Sequence, residues 1–397
     1  MQRRSLIRAT GAAALLSATP FVRAQGNLQK FKFNLGWKIE ASGAGFLLAQ
    51  QRGYHQTSQQ VIKNSIEQTV VAEQAGFNAA WYAEHHFNNY SLSPSPLMMV
   101  AHMAAKTQRI RLGTAVCILP LYHPARFLAE VGFVDTVSNG RLELGIGSGY
   151  QEFEFERFGV KMADAPAIYN EFLDIIPKGL TQKIVEYEGK FLKLPPSSIA
   201  VRPVQSPMPP IWITSGNPVT LGRGVREGHN LFVTALLNGS PAVTELRGRL
   251  EKVASDNGKD LDEDVHFGLL RCAYASDNQA EIDSYLDCAR FQRRISESLK
   301  FRRAQTDDGY MVKEVPSETD PTFEQLRKNL PVGSVNQVVD KMLEEISILR
   351  PKHIALQTQL GDFDQKTMLK QIELWGSTII PAIQKELKRN EPAAMAA

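Results

Sequence analysis

Three cysteines in 397 residues are too few for a disulfide framework, and Cys117, Cys272 and Cys288 show none of the CxxC spacing of a zinc site. None of the eight histidines lies in an HExxH or related ligand pattern, so no metal centre is expected. Charge of one sign is scarce too. The formal net charge is +3 and no basic run is interleaved with aromatics, so nucleic acid is not an expected partner. No apolar run reaches the ~20 residues of a bilayer-spanning helix, and no stable membrane span is expected in the mature chain. Internal repeats, low-complexity blocks and a composition break between two domains are absent as well.

What is present begins at the first residues. Arg3 and Arg4 precede the apolar run Gly11 to Val22 and the small residue Ala24, the layout of an export signal over residues 1–25. The paired arginines followed by Ser5, Leu6, Ile7 and Arg8 look like a twin-arginine signal, the route of proteins exported already folded, with an ordinary secretory signal as the alternative. The expectation is a periplasmic or exported protein whose mature part, residues 26–397, is a single domain.

Along that part, strand-like and helix-like segments alternate. FKFNLGW (Phe31 to Trp37) suits a strand, and Val61, Ile62, Ile66, Val70, Val71 and Ala75 recur at helical spacing up to Gly76. NAAWYAEHHF reads as the second strand, PSPLMMVAHMAAKTQ as a helix opened by Ser95 and Pro96, and RIRLGTAVCILP as one buried strand. A helix Pro124 to Val137, a strand RLELGIG, an extended irregular region, a helix Ala165 to Gln182 and a strand PPIWITSG follow. The series ends in a strand His353 to Gln357 and a helix Lys366 to Lys388. About eight such units argue for an α/β (β/α)8 TIM barrel with loop insertions rather than a doubly wound open sheet. Pro195 to Pro210 reads as a surface excursion and Gln305 to Thr322 as a lid or mobile loop.

In a barrel, reacting groups come from the C-terminal ends of strands. Glu84, His85 and His86 end the second strand. While the chain stays extended only one of the two imidazoles faces the mouth, so the pair is not expected to share a metal. The choice is then between acid/base chemistry and a loop hydrogen bond. GIGSG, Gly145 to Gly149, lacks dinucleotide-fingerprint spacing; its glycines admit either the close approach of a flat ring or phosphate, or a tight turn. In WITSGNPVT a strand passes at Ser215, Gly216 and Asn217 directly into a helix. The exposed amides there, with the hydroxyls of Ser215 and Thr220, would suit a phosphate, and N-capping by Asn217 is the plainer alternative.

Taken together, EHHF (Glu84 to Phe87), RIRLGTAV (Arg109 to Val116), LPLYHPAR (Leu119 to Arg126), VSNGRLELGIGSG (Val137 to Gly149), PPIWITSG and GSVNQVVDKM resemble, in order and spacing, the bacterial luciferase-like flavin monooxygenases. The resemblance implies a TIM-barrel flavoprotein in which His85 assists proton transfer, with His86 the less favoured partner. It places a non-proline cis peptide at Ala115 and Val116, beneath the flavin ring, and Gly216, Asn217 and Thr220 in the flavin-phosphate region. Gly147 and Ser148 stand where luciferase carries a Cys-Arg pair, so its arginine contact and its aldehyde reaction are not carried over. The implied reaction uses reduced FMN and dioxygen to oxygenate a small organic substrate, with a separate flavin reductase and a possible homodimer. The alternatives are a deazaflavin-dependent hydride-transfer oxidoreductase and a noncatalytic exported flavin-binding protein.

Overall fold

The computed structural model describes residues 32–35, 57–304, 306–307, 310–311, 315–357, 359–361 and 363–389. The export signal lies outside the described residues, as do parts of the first strand segment and of the 305–322 loop.

Eight strands form the frame: β1 (Lys32–Leu35), β2 (Ala79–Tyr82), β3 (Arg111–Thr114), β4 (Leu142–Gly147), β5 (Ile211–Thr214), β6 (Asn230–Thr234), β7 (Phe267–Cys272) and β8 (His353–Gln357). They pair in the order β3-β2-β1-β8-β7-β6-β5-β4, and β3 also pairs β4, which closes the ring. Every neighbouring pair is parallel, so the ring has no free edge to manage. Strands feeding helices on the outside make this the expected TIM barrel.

The outer helices used below are α1 (Ser58–Gln74), α2 (Pro96–Ala104), α3 (Pro124–Val137), α4 (Glu152–Arg157), α5 (Ala165–Thr181), α6 (Pro218–Glu227), α7 (Ser240–Asp256), α8 (Gln279–Lys300), α9 (Phe323–Asn329) and α10 (Val335–Leu349). Their starts follow local chemistry. Ser95 accepts from Met98 N–H ahead of Pro96 at the first turn of α2, and Ser334 and Gln337 form a capping box on α10. Two apolar layers result. Leu112, Leu144, Ile213, Leu231 and Leu269 pack outward against the helices, while Trp81, Trp212, Phe232 and Leu270 fill the ring.

Four segments depart from expectation. RIRLGTAVCILP is two strands, β3 and the pair Cys117–Ile118, because the intervening Ala115–Val116 peptide is cis and interrupts the ladder. NAAWYAEHHF leaves the sheet at Tyr82, before the Glu-His-His triplet. The region read as a proline-rich excursion opens with a strand, Lys193–Ser197, that pairs antiparallel with Val185–Glu188. The last helix is broken by a π turn at Trp375–Ile379 just before Pro381, whose ring nitrogen has no proton for the regular ladder.

Candidate active site

The triplet after β2 lies at the C-terminal mouth of the ring. The triplet follows the end of the strand, and its two imidazoles take different partners. His85 is 6% exposed, and its Nδ1 lies 3.2 Å from Glu154 Oε1 and 3.1 Å from Gln151 Nε2. Its Nε2 lies 3.5 Å from Tyr150 Oη, and its ring packs edge-on to Tyr90 at 4.8 Å and Tyr150 at 5.6 Å. His86 turns the other way, with Nε2 2.9 Å from Glu84 Oε1. Glu84 is buried, and its Oε2 accepts from Ile118 N–H at 3.0 Å and from the Tyr122 hydroxyl at 2.7 Å. Each histidine thus has its own carboxylate, and no group of metal-ligating side chains occurs among the described residues.

Glu154 ties the two histidines together, since its Oε1 also accepts the backbone N–H of His86 at 2.7 Å. It is fully buried, and its Oε2 has no hydrogen-bond partner among the described residues, nor has Gln151 Oε1. A carboxylate at Nδ1 holds the ring proton on that nitrogen and stabilises the imidazolium when Nε2 takes up a second one. Turning the Gln151 amide end for end gives Oε1 a place against the same N–H. The arrangement can therefore accept a proton at Nε2 and give it back.

Glu154, Gln151 and Tyr150 were missed because their segment lacks apolar periodicity. Its one signal is the spacing of Gln151 and Glu154, three apart at the start of α4, which puts both on one side of a helical turn.

Ala115 and Val116 follow β3, joined by the cis peptide, and Ala115 N–H donates to Tyr82 O at 2.7 Å. Gly145 and Gly147 make that geometry fit. A Cβ on Gly145 would lie 1.9 Å from Thr114 O, and one on Gly147 would lie 2.5 Å from Val116 Cγ2. The neighbouring strand fills the space a Cβ would take at these glycines. Ser148 and Tyr150 follow, both half-buried at the mouth. Burial pushes the Cys117 thiol well above its ordinary value, with nearby Glu84 adding to the effect, so it stays protonated.

Around the ring, Ser215, Gly216 and Asn217 connect β5 to α6. Asn217 caps the helix by accepting from Val219 N–H at 2.9 Å, and Ser215 Oγ accepts from Asn217 N–H at 3.0 Å. The capping alternative therefore holds for the Asn217 side chain. Gly216 remains exposed with no atom within 4 Å of where a Cβ would stand, and Thr220 is half-buried on the first turn. Arg223, one turn on, has its guanidinium taken up by Asp174, Asn170 and Glu227. An open helix start with a hydroxyl fits a phosphate held by amides and the helix dipole.

A closed (β/α)8 ring with a carboxylate-bound histidine at its C-terminal mouth has the architecture of a barrel enzyme. Residues 43–349 match the luciferase-like monooxygenase family, and the chain belongs to that family of flavin-dependent oxidoreductases. A Sinorhizobium fredii protein, itself uncharacterized, is 62% identical over 88% of this chain and 99% of its own. The oxygenase component of the flavin-dependent trigonelline monooxygenase of Acinetobacter baylyi is 31% identical over 72% of this chain and 81% of its own. Among solved structures, the monooxygenase RslO1 of Streptomyces bottropensis has a TM-score of 0.73 at 21% identity, covering 88% of this chain and 99% of its own. The oxygenating constituent of 3,6-diketocamphane monooxygenase of Pseudomonas putida, in complex with FMN, has a TM-score of 0.67 at 18% identity, covering 83% and 94%. An F420-dependent secondary alcohol dehydrogenase has the same TM-score at 15% identity, covering 89% and 99%.

Proposed function

We propose that this protein is the oxygenase component of a two-component system, using reduced FMN and dioxygen to oxygenate a small organic substrate. The observation that carries the reading is the His85–Glu154 pair at the barrel mouth. It is supported by the relative named as an oxygenase component and by the structure bound to FMN. FMN, when bound, supplies the electrons that activate dioxygen. The open start of α6, with Gly216, Thr220 and the turn at Ser215 and Asn217, would hold its phosphate; Ala115, Val116, Gly147 and Ser148 would line its ring.

The chain's own groups do the rest. Glu154 orients His85 and keeps its proton on Nδ1, and Nε2 holds or releases a proton at the mouth. The apolar wall from Trp81, Trp212 and Phe232 beneath keeps water out of the ring. With no dinucleotide fingerprint in the sequence, a separate reductase would deliver the reduced flavin.

A deazaflavin-dependent hydride transfer is the second reading, favoured by the F420-dependent neighbour; a noncatalytic flavin carrier is the third. A homodimer is part of the proposal, supported by Met98, Phe133 and Val137, left exposed on the adjoining helices α2 and α3. So is export through residues 1–25, which substituting Arg3 and Arg4 by lysine should block in a fractionation experiment. Titration of the purified protein with FMN and with the deazaflavin, each then reduced and exposed to oxygen, tests the cofactor. Tight FMN binding with oxygen uptake supports the oxygenase; preference for the deazaflavin without oxygen uptake moves it to the hydride-transfer branch; binding of neither rejects both.

A further inference from the structure

We propose that Tyr150 is a catalytic residue, the outward end of a proton path that runs from His85, held by Glu154, to the barrel mouth. This deepens, and rests on, the oxygenase reading above. Burial is graded along the path. Glu154 is fully buried, His85 nearly so, and Tyr150 is half-buried at the end of β4. The atoms follow the same order. Glu154 Oε1 stands 3.2 Å from His85 Nδ1, and Tyr150 Oη stands 3.5 Å from Nε2 on the opposite side of the ring. Tyr90, whose hydroxyl is 3.5 Å from Tyr150 Oη, is buried against Phe291, Ile295, Leu299 and Met311.

The hydroxyl at this place can donate to an imidazole lone pair or accept from an imidazolium. With His85 doubly protonated, Tyr150 gives its proton to an anionic oxygen in the mouth and takes the Nε2 proton in exchange. The tyrosine ends neutral, and the change of charge falls on His85, from imidazolium to neutral imidazole with its proton on Nδ1 beside the Glu154 carboxylate. Glu154 is a positioning residue in this path: it acts on the mouth only through the ring. The 3.5 Å spacing lies at the long end of hydrogen bonding.

Nitrogen NMR of the histidine-labelled, ligand-free full-length protein tests the path without any cofactor. The expected spectrum has a protonated Nδ1 and a hydrogen-bonded, unprotonated Nε2 for His85, assigned by its loss in His85→Gln. Tyr150→Phe should move the Nε2 resonance toward that of an unbonded lone pair and leave Nδ1 in place; Glu154→Leu should abolish the Nδ1 preference. Tyr90→Phe should move neither. An Nε2 resonance indifferent to Tyr150→Phe, or as sensitive to Tyr90→Phe, overturns the proposal.

With chemically reduced FMN, Tyr150→Phe should slow reoxidation by oxygen about tenfold or more while FMN affinity stays within about twofold. An unchanged reoxidation rate in a variant that still binds FMN also overturns it. Failure of the wild-type protein to bind FMN would instead strike the oxygenase reading, and the resonances of the ligand-free protein would still decide whether the path exists.

Discussion

The two ends of the barrel each hold a pair of histidines, and the pairs are built on opposite principles. At the C-terminal mouth, His85 and His86 each face a buried carboxylate. At the N-terminal end, His266 and His353 face each other, with ring centroids 4.7 Å apart, and His353 packs edge-on to Trp212 at 5.0 Å. Burial holds this second pair neutral; Lys32 and Lys352 add to the effect on His266, which is pushed down to about 4, and His266 itself, Lys32 and Arg111 add to it on His353, which is pushed down to about 3. A carboxylate makes a histidine's proton available to chemistry, whereas an apolar, cationic setting removes it. One residue type is therefore paired with carboxylates at one end and packed neutral at the other.

The largest effect that could break this contrast is at the mouth. His85→Asn should lower turnover by ~10²–10⁴, the usual worth of a positioned acid/base, while altering the bond to buried Glu154 costs about 1–3 kcal/mol of stability. Retained turnover would reduce His85 to a loop-bonding residue and erase the difference between the ends.

At the other end the expected effect is on stability and pH. The folded pKa values of His266 and His353 lie below the ordinary 6.5, so the unfolded chain binds more protons between the two limits. Their contribution is fully present above about pH 6.5 and is lost as pH falls through the folded values, by at most a few kcal/mol per ring. Urea midpoints measured from pH 7 to 4 should fall more steeply in the wild type than in a His266→Gln, His353→Gln double variant. Parallel curves would show that the pair is not held neutral.

Trp212→Phe gives a smaller test at the same end. The ring contacts are kept, but the indole N–H that donates to Glu143 Oε2 at 2.6 Å is lost, leaving that oxygen of a buried carboxylate without its donor. Glu143 is also paired with Arg111, so the cost should be about 1–3 kcal/mol in stability. Turnover should hold within about twofold, since the change touches no group at the mouth. A larger loss of turnover than of stability would couple the two ends.

The periodicity that located helices and strands was sufficient for the ring, because a closed parallel barrel repeats one pattern eight times. Helix α3 and strand β8 begin and end where apolar spacing places them. His85 was legible because it follows a recognisable strand, and Ala115–Val116 through the family resemblance. Glu154 and Tyr150 were not. They come from a different βα connection, about 65 residues away, and only closure of the ring between β3 and β4 brings that connection beside His85. The His266–His353 contact was hidden for the same reason, since pairing of β7 with β8 creates it.

The smallest expected effect concerns the rim of the mouth, where His123 and Arg126 belong to a segment shared with the family. His123 is exposed at the start of α3 and makes no side-chain cap, and Arg126 is 79% exposed, paired one turn on with Glu130 at 2.7 Å. An exposed i,i+4 pair of this kind holds little free energy, so Arg126→Ala should leave the thermal midpoint and turnover where they were. FMN affinity is the sharper measure. If it is also unchanged across salt concentration, the phosphate is held without an arginine from this rim, as the open start of α6 implies. A loss of affinity that high salt conceals would make Arg126 the substitute for the arginine lacking at Ser148, and the working mouth would extend from β4 to the rim of α3.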